Sequence, residues 1–372
     1  MKKIVTAGHI CLDITPVFPN RREYTAVNEL LVPGRLIQMG AASVHTGGSV
    51  ANTGLALKIL GNDVTLLGKT GNDAFGGIVQ SILERYGAGG LIVDPQSSTS
   101  YSVVLAIPGI DRIFLHSPGA NDTFSAADVR DEALSGAVLF HFGYPPVMKR
   151  MYESRGKELV NLFRHVHSLG IATSLDLAAV DPLSEAGRAD WLGILGAVLP
   201  YTDFFMPSFE ELCFMLDRPL YNSLAETGGD MTRQPGILQA ADRLAAECLA
   251  MGCAVVLVKC GLSGMVYRTG NRERAARIGK NLSLDPEVWT EQAGIQPCFQ
   301  AETVCSGTGA GDVSIAAYLT ALLNGETPEI CARLAAAEGA ASVASYDALG
   351  GILPLAELKR RIENGWKTME DL

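Results

Sequence analysis

Short apolar runs alternate along the chain with longer segments in which apolar residues recur every three or four positions. The short runs predict β-strands at residues 4–7, 63–67, 137–142, 171–175, 203–206 and 254–258. The periodic segments predict helices over residues 49–60, 74–86, 148–169 and 237–251. Strands that are apolar almost throughout and alternate with helices are typical of a parallel sheet covered on both faces. The pattern therefore predicts an α/β fold.

Two segments, residues 25–46 and 99–116, interrupt this alternation with strand and turn patterns that show no helical period. We expect them to form a small antiparallel β lid on the main sheet, built from about residues 14–46 and 97–117. Residues 270–301 also read as a non-helical stretch. Because no internal repeat or low-complexity linker divides the chain, we expect one domain over residues 1–372.

Composition and charge narrow the class of protein. Hydrophobic residues make up 48% of the 372 positions and charged residues 19%, so the chain can bury a large core and is not predominantly disordered. Its 30 basic and 40 acidic residues give a net charge of −10. A nucleic-acid partner is not expected, because such a partner calls for a basic surface. Small anions remain suitable ligands, because backbone amides can bind phosphate on an acidic protein.

The chain shows no signal for secretion or membrane insertion. Its first residues lack the apolar core and cleavage site of a signal peptide, and no window reaches the ~18 apolar residues that a membrane span needs. The eight cysteines include no C-x-x-C pair, which favours buried thiols in a reducing compartment. We expect a cytoplasmic protein without membrane contact.

The sharpest local motif is the glycine-rich segment 306–312, which is followed by a helical run over residues 313–323. Small residues at Gly309, Ala310 and Gly311 allow backbone amides to turn inward at a helix start, where they favour an anion. Asp312 would then lie beside that anion and could take a proton from an attacking hydroxyl. The same segment equally fits an ordinary glycine-rich turn with Asp312 as a helix N-cap.

A second motif opens the first predicted helix. Gly47 and Gly48 permit a close approach of the backbone to a ligand, and the Asn52 side chain offers both a donor and an acceptor. The alternative is a flexible entry to an amphipathic helix. Asp13 follows the first predicted strand, at the edge where open α/β sheets bind ligands, although alone it would be only a loop carboxylate.

Together these motifs resemble those of the ribokinase-like, or pfkB, family of carbohydrate kinases over nearly the whole chain. The matching segments, in the family's order, are residues 5–13, 47–52, 61–64, 68–76, 261–264 and 308–312. The resemblance implies a three-layer α/β/α sandwich with a mostly parallel central sheet and a small β lid. It also implies an ATP-dependent enzyme that phosphorylates a hydroxyl of a sugar or sugar-like alcohol.

The resemblance also implies roles for individual residues. These roles are the catalytic base (Asp312), the anion hole (Gly309, Ala310 and Gly311), the acceptor site (Asp13, Gly47, Gly48 and Asn52) and the nucleotide site (Lys259, Gly261 and Gly264). ATP and Mg²⁺ would be the cofactors. Lids of this family often pair edge strands between subunits, so the resemblance also implies a homodimer.

The sequence departs from the family pattern at two places. The family's Asn-x-x-Glu motif organises Mg²⁺ through water, and here Ser208 and Glu211 occupy its two positions. Ser208 has a shorter reach than asparagine, and the pair fits a serine-capped helix with an acidic first turn equally well. Where the family usually has Asp-Thr near a monovalent-cation site, this chain has Ser306 and Gly307, which puts activation by K⁺ in doubt.

Two other functions stay open at this point. One is a nucleoside kinase of the same superfamily, because base and sugar would share one pocket. The other is a catalytically silent regulator that binds a sugar or nucleotide. Asp312 and the loop of Gly309 to Gly311 argue against a silent protein, whereas Ser208 leaves that alternative open.

Overall fold

An eight-stranded sheet forms the centre of the structure, a computed structural model that describes residues 2–19, 23–110, 112–345 and 347–369. The strands are β1 (Lys3–Gly8), β2 (Cys11–Pro16), β3 (Ala42–Gly47), β4 (Asp63–Leu67), β5 (Lys69–Gly71), β6 (Ile92–Asp94), β7 (Tyr101–Leu105), β8 (Ile113–Ser117), β9 (Ala137–Gly143), β10 (Ala172–Asp176), β11 (Phe204–Phe205), β12 (Val255–Lys259), β13 (Met265–Thr269) and β14 (Ala293–Gln296). The helices are α1 (Ser49–Ile59), α2 (Ala74–Arg85), α3 (Asp131–Leu134), α4 (Lys149–Ser168), α5 (Trp191–Val198), α6 (Phe209–Leu216), α7 (Arg218–Glu226), α8 (Ile237–Met251), α9 (Arg272–Arg277), α10 (Ala310–Leu323), α11 (Pro328–Ser342) and α12 (Leu355–Glu363).

The central sheet has the strand order β14-β13-β12-β11-β10-β9-β1-β4. The six strands from β12 to β4 in this order run parallel, and β13 and β14 continue the sheet antiparallel. Each of the six strands predicted from apolar runs lies in the parallel part, although β11 has only two residues. The carboxyl ends of six strands therefore meet at one edge of the sheet.

Adjacent residues of the central strands pack into two separate cores on opposite faces. Phe204 and Val255 belong to one core, and their neighbours Phe205 and Val256 belong to the other. Helices α4, α5, α6 and α8 cover one face, and α10, α11 and α12 cover the other. This three-layer arrangement confirms the predicted α/β/α sandwich.

A second sheet of four strands, in the order β3-β2-β7-β8, stands apart from the central one. Its strands fall largely in the segments from which the sequence predicts a lid, although a 3₁₀-helix at Val27–Glu29 interrupts the first of them. The prediction of an antiparallel sheet was wrong at its centre, because β2 and β7 pair in parallel. The predicted lid ranges also include residues 20–22 and 111, which lie outside the described residues. That this sheet closes over a site stays a prediction.

Two local expectations were wrong. Residues 270–301 contain helix α9, which Asn271 caps by accepting a hydrogen bond from the Arg274 amide at 3.1 Å. Only Ala275 of this helix is buried, so its sequence has no apolar stripe to reveal it. The helix predicted over residues 148–169 is broken inside α4, where Ser154 and Arg155 have positive φ. Within the described parts of the chain, every helix is too short or too polar to cross a bilayer.

Candidate active site

The site has two neighbouring cavities, a large one where the parallel strands end and a smaller one against the second sheet. Tyr144, Asp176 and Lys259 stand at or directly after the ends of β9, β10 and β12, so the parallel topology brings them to one edge. All three line a cavity of about 840 Å³ together with Asp312. A smaller cavity of about 350 Å³ is lined by residues that include Asp13. The fold thus gathers most of the predicted site residues into two adjoining spaces.

Asp312 lies in the first turn of α10, a helix that is buried from this residue to its end. The helix N-cap is Gly309, with φ of 75°, so the alternative in which Asp312 caps the helix is wrong. A Cβ at Gly309 would collide with the Ala348 side chain, which is why the turn requires glycine. The Asp312 carboxylate is therefore held inside the helix start and faces the large cavity.

Three side chains donate hydrogen bonds to the Asp312 carboxylate, which is 3% exposed. Asn52 Nδ2 and the Tyr144 hydroxyl donate to Oδ2 at 3.1 and 2.6 Å, and the Thr53 hydroxyl donates to Oδ1 at 3.0 Å. Such bonds to a charged oxygen are stronger than those to a neutral one, and they fix its direction. The carboxylate is thus oriented before any ligand arrives.

The beginning of α10 offers backbone donors beside a cation. The first amides of a helix have no carbonyl partner within it, and Gly311 is placed so that a Cβ would lie 3.5 Å from Lys259 Nζ. The Ala310 amide, in contrast, donates to the Gly307 carbonyl at 3.3 Å and so helps to form the turn. An anion at this point would meet the Gly311 amide and the Lys259 ammonium together.

Lys259 and Asp176 form a buried ion pair at the floor of the large cavity. Lys259 Nζ lies 2.8 Å from Asp176 Oδ1, and both side chains are largely withdrawn from solvent. Burial opposes the charge on Lys259, but the carboxylates of Asp176 and Glu211 outweigh that cost and raise its pKa. The ammonium of Lys259 therefore stays charged in the cavity, where it can contact a phosphate, although its pair with Asp176 is neutral overall.

Ser208 and Glu211 form the helix cap that the sequence left open as an alternative. Ser208 Oγ accepts from the Glu211 amide at 3.3 Å, and Glu211 Oε2 accepts from the Ser208 amide at 2.8 Å, at the start of α6. This reciprocal pair is a capping box. Both residues also line the large cavity, so the cap does not remove Glu211 from the site.

The carboxylates around the large cavity fit a magnesium ion bound largely by other ligands. Asp176, Glu211 and Asp312 all line the cavity. No group of three or more His, Cys, Asp or Glu side chains among the described residues converges as a metal-binding set. Mg²⁺ usually keeps several waters and binds through one or two carboxylates plus substrate phosphates. The donor set therefore suits an ion that arrives with a nucleotide.

Asp13 lies in the smaller cavity, but on β2 of the second sheet and not at the end of β1 as expected. Gly8, with φ of 127°, ends β1, and the chain turns there before β2 begins. On the opposite strand β3, a Cβ at Gly47 would collide with the Asp13 carboxylate. Burial raises the pKa of Asp13, and Cys11 Sγ donates to its Oδ1 at 3.3 Å.

Of the other predicted acceptor and nucleotide residues, Asn52, Gly261 and Gly264 line a cavity, whereas Gly47 and Gly48 line neither. Gly48 has φ of 85° and caps α1, where a Cβ would strike the His9 ring and carbonyl. Asn52 lines the small cavity and bonds to Asp312, which faces the large one. Gly261 and Gly264, with φ of 52° and 97°, border the large cavity in the turn between β12 and β13.

Sequence reasoning missed Thr53, Asp176 and Arg112, whose guanidinium contacts Thr308 and lines the large cavity. It expected the segment of residues 142–146 to shape the substrate pocket but missed the bond from Tyr144 to Asp312. Asp176 had a usable signal, because it follows the apolar run of residues 171–175 at a strand end. The other three contact residues distant in sequence or on another element, and a single chain gives no sign of such pairs.

Comparison with known proteins places these features in a family. The model of the pfkB family carbohydrate kinase matches residues 1–354. An uncharacterized sugar kinase of Archaeoglobus fulgidus is 23% identical over 299 residues, which cover 80% of this chain and 98% of that protein. Fructokinase-2 of Oryza sativa subsp. japonica is 28% identical over 184 residues, which cover 48% of this chain and 54% of that protein.

Solved structures share the fold. Ribokinase of Arabidopsis thaliana complexed with ribose and ATP superposes with a TM-score of 0.68 at 20% identity, covering 97% of this chain and 98% of that one. A putative ribokinase II from E. coli in complex with ATP and Mg²⁺ has a TM-score of 0.69 at 21% identity, covering 98% and 100%. Fructokinase of Xylella fastidiosa with bound ATP has a TM-score of 0.70 at 20% identity, covering 98% and 99%.

Proposed function

The chain belongs to the pfkB family of carbohydrate kinases, and on that premise we propose how its residues phosphorylate an alcohol. The enzyme is an ATP-dependent sugar kinase that uses Mg²⁺. The observation that carries the proposal is the place of Asp312, which faces the large cavity and is bonded to Asn52 of the small one. We assign the small cavity to the acceptor and the large cavity to the nucleotide.

Asp13, Gly47, Gly48 and Asn52 form the acceptor site. The Asp13 carboxylate accepts hydrogen bonds from hydroxyls of the sugar-like alcohol. Gly47 leaves room for that carboxylate, and Gly48 leaves room for His9. One acceptor hydroxyl is thereby directed toward Asp312. Charge-assisted bonds of this kind both hold and orient the acceptor.

Asp312 acts as the general base. It takes the proton of the acceptor hydroxyl while the oxygen forms a bond to the γ-phosphorus and the bond from phosphorus to the ADP oxygen breaks. Of the predicted anion hole of Gly309, Ala310 and Gly311, the Ala310 amide is engaged by the Gly307 carbonyl, so the Gly311 amide and the Lys259 ammonium are the main groups that stabilise the charge on the transferring group. Gly261 and Gly264 shape the nucleotide side of the large cavity.

Glu211, through water, and Ser208 are the residues that would hold Mg²⁺ beside the nucleotide. When bound, the ion neutralises phosphate charge. Ser306 Oγ already donates to the Thr308 hydroxyl at 3.1 Å and accepts from its amide at 3.1 Å. That hydroxyl is therefore engaged within its own turn, and we propose that the enzyme needs no K⁺.

ADP release measured across sugars, sugar phosphates, polyols and nucleosides, in K⁺ and in Na⁺ buffers, tests the function. A sugar or polyol should give turnover that is equal in both buffers. If a nucleoside is turned over in preference to the sugars, the protein is a nucleoside kinase and the assignment as a sugar kinase is wrong. If ATP binds but none of the acceptors on the panel causes release of ADP, the result would favour a silent regulator.

Glu211→Gln tests the metal-side assignment. Glutamine at this position still completes the capping box, so the melting temperature should not change. We expect the Mg²⁺ concentration for half-maximal activity to rise by about tenfold and kcat to fall, because a charged oxygen near the ion is lost. Ser208→Asn, which restores the family residue, should be neutral or mildly activating. Superimposable Mg²⁺ titrations of Glu211→Gln and wild type would leave Glu211 with a capping role alone.

The outer strand of the second sheet supports a homodimer. β8 is an edge strand, and its Phe114 and Leu115 are 51% and 54% exposed. Exposed apolar edges commonly pair with another chain. We propose that two chains pair here, in the cytoplasm, where ATP is supplied and the eight free thiols stay reduced. Light scattering that gives the mass of one chain would contradict the dimer.

A further inference from the structure

Tyr144 has a backbone conformation that side chains of its size rarely adopt. It follows the end of β9 with φ of 69° and ψ of 40°, in the left-handed region. Two prolines, Pro145 and Pro146, come directly after it and begin a 3₁₀-turn. Non-glycine residues persist in this region only when their surroundings over-determine them, and such residues cluster at functional sites. The surroundings of Tyr144 show what holds it.

Three contacts tie Tyr144 to neighbouring strand ends and to α10. Its hydroxyl donates to Asp312 Oδ2 at 2.6 Å, and its backbone amide donates to the Asp176 carbonyl at 3.4 Å. Its ring stacks on His9, with centroids 6.0 Å apart and planes inclined by 28°. Burial, followed by the negative charge of Asp312, raises the pKa of the phenol. Tyr144 therefore keeps its proton and serves Asp312 as a donor.

The number of donors on each oxygen of Asp312 decides where an acceptor can bind. A carboxylate oxygen has two lone-pair positions. Asn52 and Tyr144 occupy both positions of Oδ2, whereas among the described residues Thr53 alone donates to Oδ1 and occupies one of its positions. Oδ1 is thus the atom with a lone pair left for a further hydroxyl.

We propose that Tyr144 is a positioning residue that occupies Oδ2 of Asp312, together with Asn52, and so reserves Oδ1 for the acceptor hydroxyl. The inference rests on the proposed role of Asp312 as the base. The acceptor proton passes to Oδ1 as the acceptor oxygen bonds to phosphorus and ADP departs, while Tyr144 keeps its own proton. Tyr144 lines the large cavity, but its role is to orient the base, and it neither gives nor takes the transferred proton.

Tyr144→Phe tests the proposal because it removes only the hydroxyl. With Oδ2 half released, the carboxylate can rotate away from the productive direction. We expect kcat to fall by about tenfold or more, with the KM values for acceptor and ATP within about twofold of wild type. Tyr318→Phe is the matched control, because the Tyr318 hydroxyl, buried on the same helix as Asp312, has no hydrogen-bond partner among the described residues. That control should keep its kcat.

Each alternative result overturns the proposal. A folded Tyr144→Phe enzyme with wild-type kcat would show that Oδ2 needs no second donor. A raised KM for the acceptor with kcat retained would make Tyr144 an acceptor-binding residue instead. If Tyr144→Phe fails to fold, the variants Tyr144→Gln and Tyr144→Met replace it. Their side chains are similar in length, but only glutamine has a hydrogen-bond donor. The glutamine variant should have the higher kcat, and equal kcat values would refute the role.

Failure of this inference is distinguishable from failure of the proposed function. Loss of activity in Asp312→Asn with full activity in Tyr144→Phe would reject only the role of Tyr144. Full activity in Asp312→Asn would reject the base itself, whatever Tyr144 does. The two variants are therefore measured side by side with the same acceptor.

Discussion

Asp312→Asn is expected to lower kcat at least about a hundredfold while ATP binds as tightly as before or slightly more tightly. Removing a general base costs about 10²–10⁴-fold in rate, or roughly 3–5 kcal/mol of barrier. The variant cannot accept the acceptor proton, and it also removes a negative charge from beside the phosphates. The measurement is kcat with an accepted substrate, together with ATP affinity from equilibrium titration.

The surroundings of Asp312 suit this substitution. The asparagine oxygen can still accept from Asn52 and Tyr144, and its amide can donate to the Thr53 hydroxyl, which can turn to accept. The variant should thus fold. Asp190→Asn is the matched control, because asparagine caps helix α5 about as well as aspartate does and Asp190 lines neither cavity. A folded Asp312→Asn enzyme that works at the wild-type rate would refute the mechanism.

Asp13→Ala is expected to raise the KM for the acceptor by about 30-fold or more and to leave the KM for ATP nearly unchanged. A carboxylate that accepts two hydroxyl bonds contributes about 2–4 kcal/mol of binding. Asp13 lines the small cavity and not the large one, so the KM for ATP is an internal control. Equal changes in both KM values would reject the assignment of the small cavity to the acceptor.

The same assignment predicts a dependence on pH. Burial raises the pKa of Asp13, so protonation of this carboxyl begins at a higher pH than for an exposed aspartate. Protonation removes the charge that binds the hydroxyls, and the wild-type KM for the acceptor should therefore rise as the pH falls. The KM of Asp13→Ala should lack that rise.

The main features of the fold are predictable from the sequence because its central strands are buried on both faces. Runs such as residues 137–142 and 254–258 are apolar almost throughout, and in a chain that alternates strands with helices such runs are typical of strands inside a parallel sheet. Helix α9 escaped prediction because it is short and exposed, and its single buried residue, Ala275, gives no period. Local polarity carries no helical signal when a helix packs through one side chain.

The candidate site likewise contains residues that the sequence predicts and residues that it does not. Gly48 and Gly309 are predictable because their backbones have positive φ, and glycine is the residue that adopts this conformation most readily. The bond between Tyr144 and Asp312 joins residues 168 positions apart, and no spacing rule reaches that far. The spacing of Ser208 and Glu211 fits two roles, a capping box and a pair beside the metal, and the sequence cannot distinguish them. The structure contains the capping box and also places both residues at the large cavity.

The burial of α10 along almost its whole length has a consequence for how the enzyme loses activity under stress. Amides of a fully buried helix exchange with deuterium only when most of the molecule opens, whereas those of a small sheet with an exposed edge exchange through local opening. Asp312 lies on the buried helix α10, and Asp13 lies on β2 of the small sheet. If Asp13 and Asp312 have the proposed roles, gentle heating or low denaturant should weaken binding of the acceptor while Asp312 and its three donors are still assembled.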